Sequence, residues 1–167
     1  MDHLKKILYR ARQLQSNTPS NCLGTMVYLI GASHEDTYVD PPYFLDYQPY
    51  LKQISRPRTP CIITFVDEQT RIPAHSGIVT GTNPLLVTSR TDYQGPVEIS
   101  EPIRVHGKLV TDSSLCFVLH FCFGISMAFY KIPEEPELEV LSWMVRRDLG
   151  HVDLERMSSL RPEAMPF

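Results

Sequence analysis

The chain has 167 residues, of which 43% are hydrophobic and 21% charged; this suits one domain with a packed core and argues against wholesale disorder. Its formal net charge is −3, and because nucleic-acid binders usually carry a basic excess, the charge does not support a nucleic-acid partner. The four cysteines form no C-x-x-C pair, which excludes a zinc ribbon. The opening residues lack the apolar core of a secretory signal, so we expect reduced thiols in a cytoplasmic protein.

Residues 2–15 predict an amphipathic helix. Five apolar side chains share one face at helical spacing: Leu4, Ile7, Leu8, Ala11 and Leu14. A basic helix of this kind lies on an anionic membrane or packs on the core of its own protein. The candidate membrane-binding residues are Lys5, Lys6, Arg10 and Arg12.

The next segment is rich in aromatic residues and proline. Residues 25–30 are apolar and predict a short strand, whereas residues 33–52 predict an extended aromatic loop, with a short helical turn near residues 43–54. Aromatic side chains on a proline-stiffened backbone bind protein partners at low entropic cost, or cover the edge of a sheet. The candidate partner-binding residues are Tyr38, Pro41, Pro42, Tyr43, Tyr47 and Tyr50.

Alternating residues predict an antiparallel sheet. Residues 61–66 are mostly β-branched or aromatic, and residues 78–80 and 85–88 flank a turn, so each of these segments predicts a strand. Residues 103–111 alternate with a period of two, and every odd position from 115 to 129 is apolar. The last two segments predict a long central hairpin.

The last part of the sequence predicts a C-terminal helix, and the sequence as a whole divides into three parts. Pro136 suits the first helical turn, and an apolar stripe runs from Leu138 to Leu149 with Gly150 after it. The prediction is an α+β fold: an antiparallel sheet with a long central hairpin, an N-terminal amphipathic helix and a C-terminal helix. Its parts are a basic N-terminal segment 1–21, a single α+β domain 22–157 and a C-terminal tail 158–167.

Few residues in the sequence indicate catalysis or metal binding. His75 stands beside Ser76, but no G-x-S-x-G motif surrounds them and neighbours on a strand point to opposite faces. We therefore predict that His75 lies in a loop or at a strand edge. Cys116, His120 and Cys122 share one face of the predicted strand and could ligate a metal, but buried cysteines also act as small apolar residues. We predict no catalytic residue, no metal and no cofactor.

The N-terminus resembles a known family. The run Leu4-Lys5-Lys6-Ile7-Leu8 is similar to the opening of rhabdovirus matrix proteins, in which a proline–tyrosine motif follows. Pro41-Pro42-Tyr43 stands in a similar order here, although the family motif has one more residue before the tyrosine. The resemblance implies a small, non-enzymatic α+β protein that coats membrane and binds nucleocapsid.

These observations favour a binding or assembly protein, either viral matrix-like or accessory. We expect it in the cytoplasm, at the membrane periphery or in a virion. Its expected partners are other proteins, an anionic membrane surface and further copies of itself. The alternatives are a cytosolic interaction adaptor without a membrane role, and a small hydrolase or metalloprotein that uses His75, or His120 with Cys122.

Overall fold

The strands form the sheet on which the helices pack. The computed structural model describes residues 2–91, 93–105, 108–111 and 124–150, with side chains for 2–91, 93–101 and 124–149. The strands are β1 (Gln53–Ile54), β2 (Cys61–Asp67), β3 (Pro73–Thr82), β4 (Leu85–Arg90), β5 (Val97–Ser100), β6 (Pro102–Val105), β7 (Lys108–Thr111) and β8 (Ile125–Lys131). Six of them form an antiparallel sheet in the order β1-β8-β2-β3-β4-β5, and β6 pairs with β7 in a second sheet.

The helices flank this sheet. They are α1 (His3–Gln13), α2 (Cys22–Leu29), α3 (Phe44–Tyr47) and α4 (Glu137–Gly150), with two 3-10 helices, η1 (Pro41–Tyr43) and η2 (Gln48–Tyr50). The predicted α+β class, with an antiparallel sheet and helices in the N-terminal and C-terminal regions, is confirmed. Within the described residues, no helix combines the length and apolar character needed to cross a membrane.

Helix α1 forms where the sequence predicts it. The Asp2 carboxylate caps its N-terminus by accepting a hydrogen bond from the Leu4 amide at 3.0 Å. Ile7, on the apolar face, is only 1% exposed, and Ala11 and Leu14 pack on the same core. The apolar face of α1 therefore contacts the protein itself.

The strand predicted at residues 25–30 is wrong, because these residues lie in and just after α2. The Asn21 side chain caps this helix by accepting from the Gly24 amide at 2.9 Å. Nearly every residue of α2 is buried, so its sequence lacks the polar face that normally reveals a helix. A Cβ atom at Gly24 would lie 1.9 Å from the Thr37 carbonyl oxygen, so only glycine permits this close approach.

The strands predicted at 61–66, 78–80 and 85–88 are confirmed as β2, β3 and β4. Strand β3 begins earlier than predicted, at Pro73, because its first residues are small or polar and carry no apolar alternation. The predicted strand residues 125–129 belong to β8, which pairs with both β1 and β2. The remainder of that segment, residues 115–123, lies outside the described residues, as does the tail 158–167.

The long central hairpin predicted between residues 103–111 and 115–129 is wrong within the described residues, because residues 125–129 pair with β1 and β2. The prediction of a single strand at residues 103–111 is also wrong. The segment contains two strands, β6 and β7, which pair with each other so that Ile103 lies opposite Val110. Both strands have the same period of two, and the alternation therefore continues from one into the next without marking the break.

Two apolar clusters cover the two faces of the sheet. Ile62 and Ile78 belong to the larger cluster, which includes residues of α1, α2, α3 and α4. Ile63 and Phe65 alternate with Ile62 along β2 and belong to the second cluster. The larger cluster fixes α1 against α2, and this contact positions the site described next.

Candidate functional site

The outer face of α1 carries the four basic residues that the sequence predicts to bind a membrane. Lys5, Lys6 and Arg12 are exposed, and Arg10 is half-buried. Tyr9 stands among them and is 66% exposed. Because the apolar face is buried, these charges point into solvent as one surface.

Part of this surface lines an open groove, here called the α1 groove. It has a volume of about 500 Å³ and lies between α1 and the end of α2. Its lining residues are Lys5, Lys6, Tyr9, Arg10, Tyr28, Gly31, Ser33 and His34. None of these residues is a carboxylate, so the groove attracts anions.

Arg10 is held in place at the floor of the α1 groove. Its Nη1 atom donates to the Leu29 carbonyl at 3.2 Å, at the end of α2, where the helix dipole is negative. Its guanidinium lies against Gly31, whose φ of +88° favours glycine. Arg10 is thus partly engaged within the fold, whereas Lys5 and Lys6 remain available to a ligand.

A buried ion pair holds the loop after α2, which contributes Ser33 and His34 to the α1 groove. Arg90, at the end of β4, is fully buried and pairs with Asp36. It also donates to Thr25 Oγ1 at 2.8 Å and to the Gln15 carbonyl at 3.2 Å. Arg90 therefore connects β4 to α2 and to the loops after α1 and α2, and we call this network the Arg90 clamp.

The aromatic segment is largely part of the core. Tyr47 is buried and donates to Asp148 Oδ2 at 2.7 Å; burial and this hydrogen bond raise the pKa of Tyr47. Tyr38 is buried and packs edge-on against Tyr93, with ring centroids 5.9 Å apart. Pro41 is buried as well.

Three of the six predicted partner-binding residues remain accessible. Pro42 is exposed, Tyr43 is half-buried and Tyr50 is 43% exposed. The helical turn predicted near residues 43–54 is confirmed as α3 and η2, whereas the proline-rich start of this segment, predicted to be extended, contains the short helix η1. A buried tyrosine can pack its ring in the core and hydrogen-bond its hydroxyl there. Its sequence context does not differ from that of an exposed tyrosine, so the sequence does not show which of the six residues are buried.

Sequence reasoning missed three exposed apolar side chains on α3 and α4, here together called the α3–α4 patch. It comprises Leu45, Val140 and Trp143, and Trp143 is 56% exposed. The Arg147 guanidinium lies 5.4 Å from the centroid of the Trp143 ring and 3.8 Å from Asp46, so it links the two helices. The signal in the sequence was a tryptophan outside the apolar stripe of α4.

The predicted position of His75 in a loop or at a strand edge is wrong. His75 is fully buried in β3, which pairs with β2 and β4, and its Nε2 lies 2.9 Å from Ser89 Oγ. Its ring stacks on Phe65, with centroids 5.8 Å apart. Burial lowers the pKa of His75 to about 3. Although the spacing suits a base and a nucleophile, both side chains are inaccessible to a substrate in this conformation.

The candidate metal ligands cannot be placed. Cys116, His120 and Cys122 lie outside the described residues. Among the described residues, no group of three or more His, Cys, Asp or Glu side chains could hold a metal ion. Cys22 and Cys61 are buried, and burial raises the pKa of the Cys61 thiol.

Comparisons with known proteins found no matching family profile, no matching curated protein and no matching solved structure. The similarity of the N-terminus to rhabdovirus matrix proteins therefore stays a prediction. A function for this chain has to be argued from the charge and geometry of its surfaces.

Proposed function

We propose that this chain is a non-enzymatic binding and assembly protein of the cytoplasm that attaches peripherally to anionic membranes through the outer face of α1. The observation that carries the proposal is the group of basic side chains that α1 turns into solvent beside a groove without carboxylates. A viral matrix-like or accessory protein would use such a contact during assembly.

The packing of α1 supports a superficial, electrostatic contact. Ile7 is buried in the core, so the apolar face cannot enter the lipid while the fold is intact. A basic residue near an anionic surface contributes about 1 kcal/mol. The exposed Lys5, Lys6 and Arg12 together therefore contribute about 3 kcal/mol, which supports a weak and reversible attachment. The exposed Tyr9 ring suits the headgroup region.

Protein partners would bind at other surfaces. Pro42, Tyr43 and Tyr50 are accessible, and the α3–α4 patch presents Trp143 with Arg147 over its ring. Tryptophan, tyrosine and arginine are enriched at the energetic centres of protein interfaces. Self-association or recruitment of a second protein is the proposed use of these residues.

Flotation with vesicles of phosphatidylserine and phosphatidylcholine tests the membrane contact. We expect a variant with Lys5→Gln, Lys6→Gln and Arg12→Gln to stay in the unbound fraction, because the field that attracts the lipid is removed. The matched control replaces the exposed Arg56, Arg71 and Arg146 by Gln and changes the net charge equally. The proposal is wrong if the α1 variant floats as the unmodified protein does, or if both variants lose binding equally.

A second candidate function is a cytosolic interaction adaptor that never binds membranes. The buried apolar face of α1 favours the adaptor, since this face packs on the protein core and needs no membrane to cover it. Limited proteolysis of the free protein discriminates between the two functions in combination with flotation. Protection of residues 2–15 together with no vesicle binding by the unmodified protein would favour the adaptor.

A further inference from the structure

A second basic cluster lies in another groove, here called the edge groove, beside β1, the end of β8 and the start of α4. Its volume is about 830 Å³. Three cations from separate segments line it: Lys52 before β1, Arg58 between β1 and β2, and Lys131 at the end of β8. The Lys131 amide donates to the Lys52 carbonyl at 2.9 Å, which fixes the two lysines side by side.

The carboxylates of the edge groove already have roles within the fold. Glu134 Oε1 lies 2.9 Å from His3 Nε2, and this contact lowers the pKa of the Glu134 carboxyl. Glu135 accepts a hydrogen bond from the Glu139 amide at 3.2 Å. Glu137 lies in the first turn of α4, where the helix dipole favours negative charge.

The three cations, in contrast, form no direct ion pair, although Glu134 lies close enough to Lys131 to act on its charge. In the part of the chain that the structure describes, Lys52, Arg58 and Lys131 have no carboxylate within 4 Å. The positive charge of Lys52, and next that of Arg58, lowers the pKa of Lys131. Like charges that converge in this way repel one another, and a bound anion would remove the repulsion.

We propose that the edge groove binds the phosphate group of a soluble small molecule, with Lys52, Arg58 and Lys131 contacting the phosphate oxygens. Three adjacent cations match a group with two or more negative charges, and the arginine fork binds phosphate oxygens in pairs. The volume is in the usual range for small-molecule sites. Tyr50, which also lines the groove, would contact the remainder of the ligand.

The groove suits a soluble ligand better than a membrane. Glu134, Glu135 and Glu137 are exposed at the same groove and would repel an extended anionic surface, whereas a small ligand can occupy the basic side alone. The proposal does not depend on α1, because none of the four basic residues of α1 lines this groove.

Calorimetric titration with inorganic pyrophosphate at low salt tests the site. We expect the unmodified protein to bind, and Lys52→Gln or Lys131→Gln each to weaken binding about tenfold, since each removes a charge-assisted hydrogen bond. The control is Arg56→Gln, an exposed residue that does not line the groove and whose loss changes the net charge equally. Undetectable binding, or equal affinity in all four proteins, would overturn the proposal.

Thermal unfolding of Lys131→Gln separates a ligand site from a structural cluster. Removing one of three repelling charges should leave the midpoint of the free protein unchanged or slightly higher, while the upward shift caused by pyrophosphate is lost. A lowered midpoint in the free variant, with the shift retained, would mean that the cluster serves the fold and would contradict the proposal.

The membrane contact of α1 and the phosphate site of the edge groove can be tested independently of each other. The α1 variant should still bind pyrophosphate, and the Lys52 and Lys131 variants should still float with vesicles. If pyrophosphate does not bind and the Lys52 and Lys131 variants lose vesicle binding, the edge groove recognises lipid headgroups and the soluble-ligand proposal is wrong.

Discussion

At the scale of single residues, the buried His75 contributes to how this fold responds to acid. It lies in a central strand, its Nε2 contacts Ser89 Oγ at 2.9 Å, and its Nδ1 is buried without a hydrogen-bond partner among the described residues. A neutral ring is compatible with this environment and a charged ring is not, because desolvation penalises the charge. His75 therefore acts as a polar member of the core.

Acid should destabilise the protein through His75. The pKa of His75 is about 3 in the folded chain, against an ordinary value near 6.5. Below about pH 6.5 the unfolded state binds a proton that the folded state excludes, so stability falls as the pH drops from there towards 3. We expect a loss of roughly 2 kcal/mol between pH 6.5 and pH 5, from about 1.4 kcal/mol per pH unit.

Urea unfolding at several pH values measures this loss. His75→Gln should remove that part of the pH dependence, because glutamine does not titrate, whereas the exposed His34→Gln should retain it. The same slope in His75→Gln and in the unmodified protein would contradict this account of His75.

At the scale of elements, the Arg90 clamp decides how the loops beside α1 and α2 are held. One guanidinium joins β4 to Asp36, Thr25 and the Gln15 carbonyl, so three segments depend on a single buried charge. Removing one partner of a buried ion pair leaves the other uncompensated, which costs more than the pair contributes. The loop that contains Asp36 also contributes Ser33 and His34 to the α1 groove.

Asp36→Asn should therefore be strongly destabilising. It keeps the shape of the side chain but leaves the Arg90 charge unpaired, and we expect the free energy of unfolding to fall by about 3 kcal/mol. Chemical denaturation of this variant and of Glu35→Gln, an exposed neighbour, provides the measurement. A loss of the same size in both variants, or none in Asp36→Asn, would show that the pair is not the stabilising contact.

At the scale of the whole molecule, a net charge of −3 conceals separate basic surfaces. The α1 groove gathers three basic side chains and no carboxylate, and the edge groove gathers three basic side chains together with three glutamates. The α3–α4 patch is apolar. Local fields decide association when charges are segregated in this way, so the net charge describes the binding properties poorly.

Vesicle binding should be strongly salt-dependent, since α1 buries its apolar face in the core and presents mainly basic side chains to the lipid. The screening length falls from about 10 Å at 0.1 M salt to about 3 Å at 1 M. We therefore expect flotation to be lost at molar salt and restored on dilution. Retention at molar salt would mean that α1 leaves the core and inserts, contrary to the proposed surface contact.

Much of this fold was accessible from the sequence because the relevant patterns are local. Helix α1, with its buried apolar face and exposed Lys5 and Lys6, follows from the spacing of residues within a few turns. Helix α4 and strands β2 and β4 were predictable for the same reason. Period and capping are properties of neighbouring residues, and they determine which face of an element is apolar.

Tertiary packing decided what local patterns do not encode. Residues 25–29 are almost entirely buried, so they show no polar face, and their helix was decided by their position inside the core. Tyr47 lies in the core, where its hydroxyl donates a hydrogen bond to Asp148, a residue distant in the sequence. Lys52, Arg58 and Lys131 meet only because β1 pairs with β8, and a groove formed from separate segments arises from the folded arrangement alone.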